Sequence, residues 1–181
     1  MNRIVVLVCL AVLIAVPAFG QHHGGAHPAA SSAPQSYAGL EQRDIKALSY
    51  QQLADLRSGR GMALALPAEL NRYPGPMHAL EHATALGLSD DQTAALRGLM
   101  DTMRQDAIAA SARVIAAERA LDQLFARESA TPGMVATAAG EAGAAWATLR
   151  AVHLTTHIAT RDVLSPDQLV RYGALRGYAN R

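Results

Sequence analysis

Residues 88–127 read LSDDQTAALRGLMDTMRQDAIAASARVIAAERALDQLFAR. The first five residues carry the signature of a helix start. The Ser89 hydroxyl is placed to accept from the backbone amide three residues on, and the Gln92 side chain reaches back to the Ser89 amide. Asp90 and Asp91 suit the positive end of a helix dipole. Leu96, Leu99, Met103, Ala107, Ala110, Val114, Ala117, Leu121 and Leu124 then recur at spacings of three and four, which predicts one long helix ending near Arg127. Glu128 to Gly133 interrupts it with a proline and a glycine. A second long helix is expected from about Gly133 to Arg161, with Val135, Ala138, Ala142, Ala145, Leu149, Val152, Thr156 and Ala159 along one stripe. So short a connection between helices of this length forces them into an antiparallel hairpin, and the alanines of both seams permit close approach.

The same box recurs on either side. Leu48-Ser49-Tyr50-Gln51-Gln52 and Leu164-Ser165-Pro166-Asp167-Gln168 repeat the Leu-Ser-x-x-Gln pattern of residues 88–92. Pro166 falls at the first helical position, where a missing N–H costs nothing. Leu48 with Leu53, and Leu164 with Leu169, have the spacing of a hydrophobic staple. Between the first and second boxes, residues 61–71 are expected to be helical, 73–76 (Tyr-Pro-Gly-Pro) to turn, and 76–86 to form a further short helix. Gly59-Arg60-Gly61-Met62 reads as a break between helices, since neither a preceding strand nor a following Lys-Ser/Thr supports a phosphate loop. Alanine, the strongest helix former, supplies about a fifth of the chain, and no alternating strand pattern appears. The expected fold is all-α: a long antiparallel helical hairpin with shorter helices packed at its open end.

The chain ends and the composition narrow the function. Arg3, the apolar run from Ile4 to Val16 and the small residues near Gly20 read as a signal peptide over residues 1–20, cleaved after Gly20 or after Ala18. This predicts export to the periplasm and no membrane span once the signal is removed. Residues 21–36 are expected to be a disordered, histidine-containing tail, and residues 37–181 one helical domain. Cys9, the single cysteine, leaves with the signal, so disulfides and thiolate chemistry drop out. A formal net charge of +1 over 181 residues argues against nucleic acid as a partner. Lys46 is the sole lysine, and the serines of the helical region that matter are spent as caps, so no enzyme chemistry is expected.

The histidines carry the functional reading. His78 with His82, and His153 with His157, are spaced i, i+4, which puts two imidazoles on one helix face a turn apart. The glutamate of a zinc-protease H-E-x-x-H helix is missing, because Ala79 and Leu154 stand in its place. With the hairpin turn near residue 130, His153 comes level with about Ala107 and His157 with about Met103, leaving Asp101, Met103 and Asp106 as nearby donors. Folding the 76–86 helix back brings His82 level with about Ala94 and His78 with about Gly98. The expectation is a shared site for a divalent transition metal, the alternative being four ordinary packing histidines. Glu81 is expected to point off the His78–His82 face into solvent, and Met62, Met77, Met100 and Met103 to pack. A second metal reading lies in the tail: cleavage before Gln21-His22-His23 would leave a free amine, two amides and the His23 imidazole to chelate Cu(II) or Ni(II). A cyclised Gln21, another cleavage position or a plain spacer are the alternatives.

A signal peptide, a small cysteine-free helical chain and paired Leu-Ser-x-x-Gln boxes flanking a long hairpin resemble the Spy/CpxP-type (LTxxQ-motif) periplasmic proteins, over roughly residues 76–178. That group includes stress-induced holdase chaperones, a zinc-resistance-associated protein and periplasmic cobalt–nickel sensors. The resemblance implies a homodimer with a concave helical face, and as partners a membrane signalling protein or unfolded clients. It also implies a heavy-metal sensor or resistance role, with an ATP-independent holdase in envelope stress as the alternative. In the sensors an early H-x-x-x-H pair, a carboxylate on the next long helix and a late histidine bind metal, followed one turn on by methionine. His78, His82 and His153 match that pattern; His157 replaces the methionine, and Asp101 stands for a carboxylate that is Glu there. The additional imidazole favours Zn, Ni or Cu over Co.

Overall fold

The computed structural model describes residues 37–178, which lie within one unit, Tyr37–Arg181. The signal peptide, the tail and its His22 and His23 fall outside the described residues. A short 3-10 turn at Leu40–Gln42 leads into α1 (Tyr50–Arg57), α2 (Leu66–Glu69), α3 (Pro76–Glu81) and α4 (Ala83–Leu86). Two long helices follow, α5 (Asp90–Ala126) and α6 (Pro132–Val163), and then α7 (Pro166–Leu175). The described residues contain no strand. The protein is all-α, built on the expected hairpin with shorter helices beside it.

All three capping boxes form. Ser49, Ser89 and Ser165 each accept from the amide of the glutamine three residues on, and each glutamine accepts from its serine's amide. The second and third boxes also meet. The Gln92 amide donates to Gln168 Oε1 at 2.8 Å, and Gln168 donates to Gln92 Oε1 at 3.0 Å. Gln92 also donates to the Val163 carbonyl at 2.9 Å, and Gln168 to the Gly87 carbonyl at 3.3 Å. Two local caps thus become one long-range clasp that closes the open end of the hairpin.

Two apolar clusters hold the short elements to the hairpin. Ile45, Leu48, Leu53 and Leu56 pack on Ala107, Ala110, Val114 and Leu149 at mid-hairpin, and Leu48 and Leu53 are buried there together as the staple requires. Ala79, Leu86, Leu96, Leu164 and Tyr172 form the second cluster, at the open end. Toward the turn the arrangement thins: Phe125 and Met134 are exposed.

Three local expectations need correction. Residues 61–71 are not one helix; only Leu66–Glu69 coils, because Met62 and Ala63 hold left-handed backbone (φ 41° and 61°) and Arg72 closes the turn at φ 68°. Residues 76–86 split at His82, whose backbone (φ −102°, ψ 18°) leaves the helical region, although its N–H still bonds the His78 carbonyl at 3.3 Å. On α6 the buried positions are Ala138, Ala142, Leu149, His153 and Thr160, so the inward stripe passes through a histidine that the apolar pattern skips.

Gly59 is the one glycine of the α1–α2 link that its backbone demands. It closes α1 at φ +69°, and a Cβ there would lie 2.9 Å from the Arg104 carbonyl oxygen of α5.

Candidate metal-ligating histidines

α6 places its two imidazoles very differently. His153 is buried, and its Nε2 has no hydrogen-bond partner. Burial holds the His153 pKa below the ordinary imidazole value, with a smaller push from the charge of His157 one turn on. His157 is half-buried, and its Nδ1 lies 2.7 Å from the Tyr73 carbonyl. A carbonyl only accepts, so Nδ1 carries the proton and the lone pair of the neutral ring sits on Nε2. That is the tautomer a metal-ligating histidine adopts when its other nitrogen is held by a backbone acceptor.

α3 repeats the arrangement. His78 Nδ1 lies 2.8 Å from the Glu81 carboxylate, which again leaves Nε2 as the free nitrogen. Glu81 is exposed as expected, but it does not simply face solvent: the hydrogen bond from His78 holds its carboxyl below the usual carboxylate range. His82, at the break between α3 and α4, is half-buried. Asp101 and Asp106 on α5 are exposed, and Met103 is half-buried. Among the described residues, no three His, Cys, Asp or Glu side chains are gathered tightly enough to enclose an ion. The structure thus does not bring the four histidines together.

A cluster of buried polar groups lies beside His157. The Glu69 carboxylate of α2 is buried; its Oε1 accepts from the hydroxyls of Tyr172 and Tyr178, and its Oε2 from the Gly75 amide at 3.1 Å. Arg176 Nε stands 3.6 Å from Oε1, and His157 Nδ1 3.7 Å from Oε2. Burial, followed by the hydrogen bond to Glu69, pushes the Tyr172 phenol far above its usual range. Glu69 thus ties α2 to α7 and to His157 of α6, whereas Arg60 pairs with Asp55 of α1 at 3.2 Å. Tyr73 is fixed a second time, because the Arg161 guanidinium lies 4.4 Å above its ring.

Elsewhere, Trp146 Nε1 donates to Glu118 Oε1 at 2.7 Å across the hairpin, and Tyr172 is buried; both serve packing. Near the turn an open groove of about 390 Å³ is lined by Ala120, Leu124, Met134 and Ala138, with Thr137 and Glu141 at its side. Among the described residues, no helix is long and apolar enough to cross a membrane. No family model, no curated protein and no solved structure matches the chain.

Proposed function

We propose that the chain is an exported, non-enzymatic helical protein of the Spy/CpxP kind that binds a divalent transition metal in the periplasm, for sensing or resistance. The observation that carries this reading is the His153 Nε2 atom, buried and without a partner, one turn from a His157 whose Nδ1–H is already committed to the Tyr73 carbonyl. Leaving a buried polar nitrogen unsatisfied costs about 1–3 kcal/mol, an expense that a structural histidine would avoid by giving way to leucine. A metal bond to that nitrogen removes the cost. His78, held through Nδ1 by Glu81, supplies the same kind of free Nε2 on the neighbouring α3.

Because the described residues gather no three donors, loading draws the segments together. α3 is six residues long, lies between Gly75 and the break at His82, and contacts both α5 and α6, so a small shift of this element is what brings His78 toward α6 on loading. His82, Asp101 and, more weakly, Asp106 and Met103 complete the donor set. Imidazole-rich coordination favours Zn(II), Ni(II) or Cu(II), with Co(II) less suited. A metal that binds one arrangement of α3 better than the other shifts the population toward it and alters what a second copy or a membrane signalling protein meets.

Calorimetry tests this on the secreted chain with His22, His23 and His27 changed to Ala. Binding of Zn(II) or Ni(II) that is lost in His157→Ala and weakened in His78→Ala is expected; equal affinity in both variants overturns the reading.

A second reading, an ATP-independent holdase, is favoured by the apolar groove at the turn, where Phe125 and Met134 are exposed. It predicts suppression of client aggregation in metal-free buffer, with Phe125→Ser impaired and His157→Ala unaffected.

A further inference from the structure

α6 carries a second apolar stripe on the face turned away from the hairpin core. It begins at Ala136, recurs at intervals of 4, 3, 4, 4, 3 and 4 residues, and ends at Ile158. Those intervals are an 11-residue repeat taken twice, with nodes at Ala136, Ala147 and Ile158. The buried stripe repeats at the same period through Ala138, Leu149 and Thr160, so the two faces stay apart along the whole helix. The exposed stripe is about 33 Å long at the rise of an α-helix. No charged residue lies on it: Glu141 and Arg150 fall to its sides, and Arg161 and Asp162 lie beyond its end.

Among the described residues nothing covers this face. Ile158, a large apolar side chain, is 51% exposed, and Leu154 is only half-buried. A Cβ at Gly140 or Gly143 would meet no described residue within 4 Å, apart from the local turns of α6 itself. Glycine weakens a helix interior, and at these two positions neither the backbone nor a close contact within the chain requires it.

The order of side-chain sizes along the stripe selects its occupant. Positions 136 and 158, 140 and 154, and 143 and 151 lie symmetrically about 147. A second α6 laid antiparallel across a two-fold axis at Ala147 therefore sets Ala136 against the partner's Ile158 and Gly140 against the partner's Leu154. Gly143 meets the partner's Ala151, and Ala147 meets the partner's Ala147. Each large side chain enters the space left by a small one, the interdigitation that a close-packed interface demands. A parallel pairing would crowd Ile158 on Ile158 at one end and leave a void between glycines at the other. The stripe is thus complementary to its own reverse, as an isologous interface must be.

We propose that the chain forms a two-fold dimer through this face of α6, antiparallel and with Ala147 on the axis. The dimer does not depend on metal, and the two ideas stand or fall separately.

The experiment is sedimentation of the chain with Cys9 changed to Ser, in metal-free buffer, followed by cysteine cross-linking. A dimer is expected at micromolar concentration. Gly140→Leu, which fills the space taken by the partner's Leu154, is expected to weaken dimerisation about tenfold while circular dichroism shows the helix content retained. Under mild oxidation Ala147→Cys is expected to link to its own copy. Gly140→Cys and Leu154→Cys are expected to link when mixed and neither alone. A monomer throughout the micromolar range overturns the proposal. So does a dimer that Gly140→Leu leaves intact, or one in which Ala147→Cys fails to link. Gly140→Cys that links to itself overturns the antiparallel register.

Discussion

His153 illustrates how one buried group couples packing to pH. Its pKa lies below the ordinary imidazole value of about 6.5, chiefly through burial, so the unfolded chain binds this proton more readily than the folded one. The stabilisation that comes from keeping the ring neutral is complete above about pH 6.5 and is lost as the pH falls from there through the folded value. Chemical denaturation at a series of pH values is expected to show stability falling below about pH 6.5, and His153→Leu is expected to flatten that decline. At neutral pH the leucine variant is expected to lie within about 1 kcal/mol of the parent, since the unpartnered ring nitrogen and its desolvation disappear together. The residue was legible in the sequence as a candidate ligand, but its burial was not. Extending the stripe at 3.5-residue spacing selects Val152, Thr156 and Ala159, whereas the buried positions 138, 142, 149, 153 and 160 advance by four and seven. That is an 11-residue repeat, close to the natural period of a straight helix, and over several turns it diverges from a heptad. Glu81 was misjudged for a simpler reason: its i, i+3 spacing from His78 puts the two on one face.

At the scale of elements, the three Leu-Ser-x-x-Gln boxes look identical in sequence and are unequal in the fold. Gln52 serves only its own cap, whereas Gln92 and Gln168 also hold each other and two carbonyls. Gln52→Ala is expected to cost about 1 kcal/mol, and Gln92→Ala about 2 kcal/mol. Because Gln92 and Gln168 are partners, the double variant is expected to cost less than the sum of the singles, by about 1 kcal/mol in a double-mutant cycle. Caps are local, which is why the helix starts could be read directly; the pairing across 76 residues depends on tertiary placement and could not. The helix ends tell the same story. Glu128 ends α5 in left-handed backbone (φ 53°), with the Ser129 amide bonded to the Leu124 carbonyl, a position where glycine is at ease. Glu128→Gly is expected to raise stability by about 1 kcal/mol, measured by urea unfolding. An unchanged midpoint would mean that the strain is not held there.

Across the whole molecule, the hairpin is a frame and the open end is where segments distant in sequence are fastened. Glu69 is the fastening: one buried carboxylate joins α2, the Gly75 turn, α6 through His157 and α7 through Tyr172. Glu69→Ala strands two tyrosine hydroxyls, an amide and a guanidinium, and is expected to cost about 3 kcal/mol in thermal or urea unfolding. A loss comparable to that of an exposed substitution would show that the hub is ornamental. The hairpin and the three capped helix starts were legible, because long amphipathic periods and capping signals act locally, whereas the short helices between the first two boxes were misdrawn. The hub was not legible either, since residues 59–75 carry no periodicity and their conformation is imposed by what they pack on. The most direct measurement is nitrogen-15 NMR of the imidazoles of the chain, with His22, His23 and His27 changed to Ala, as Zn(II) is added. The account predicts that Nε2 of His153 and His157 move together to metal-bound shifts, at one equivalent of metal. Unchanged Nε2 resonances in both rings at saturating Zn(II) would contradict it.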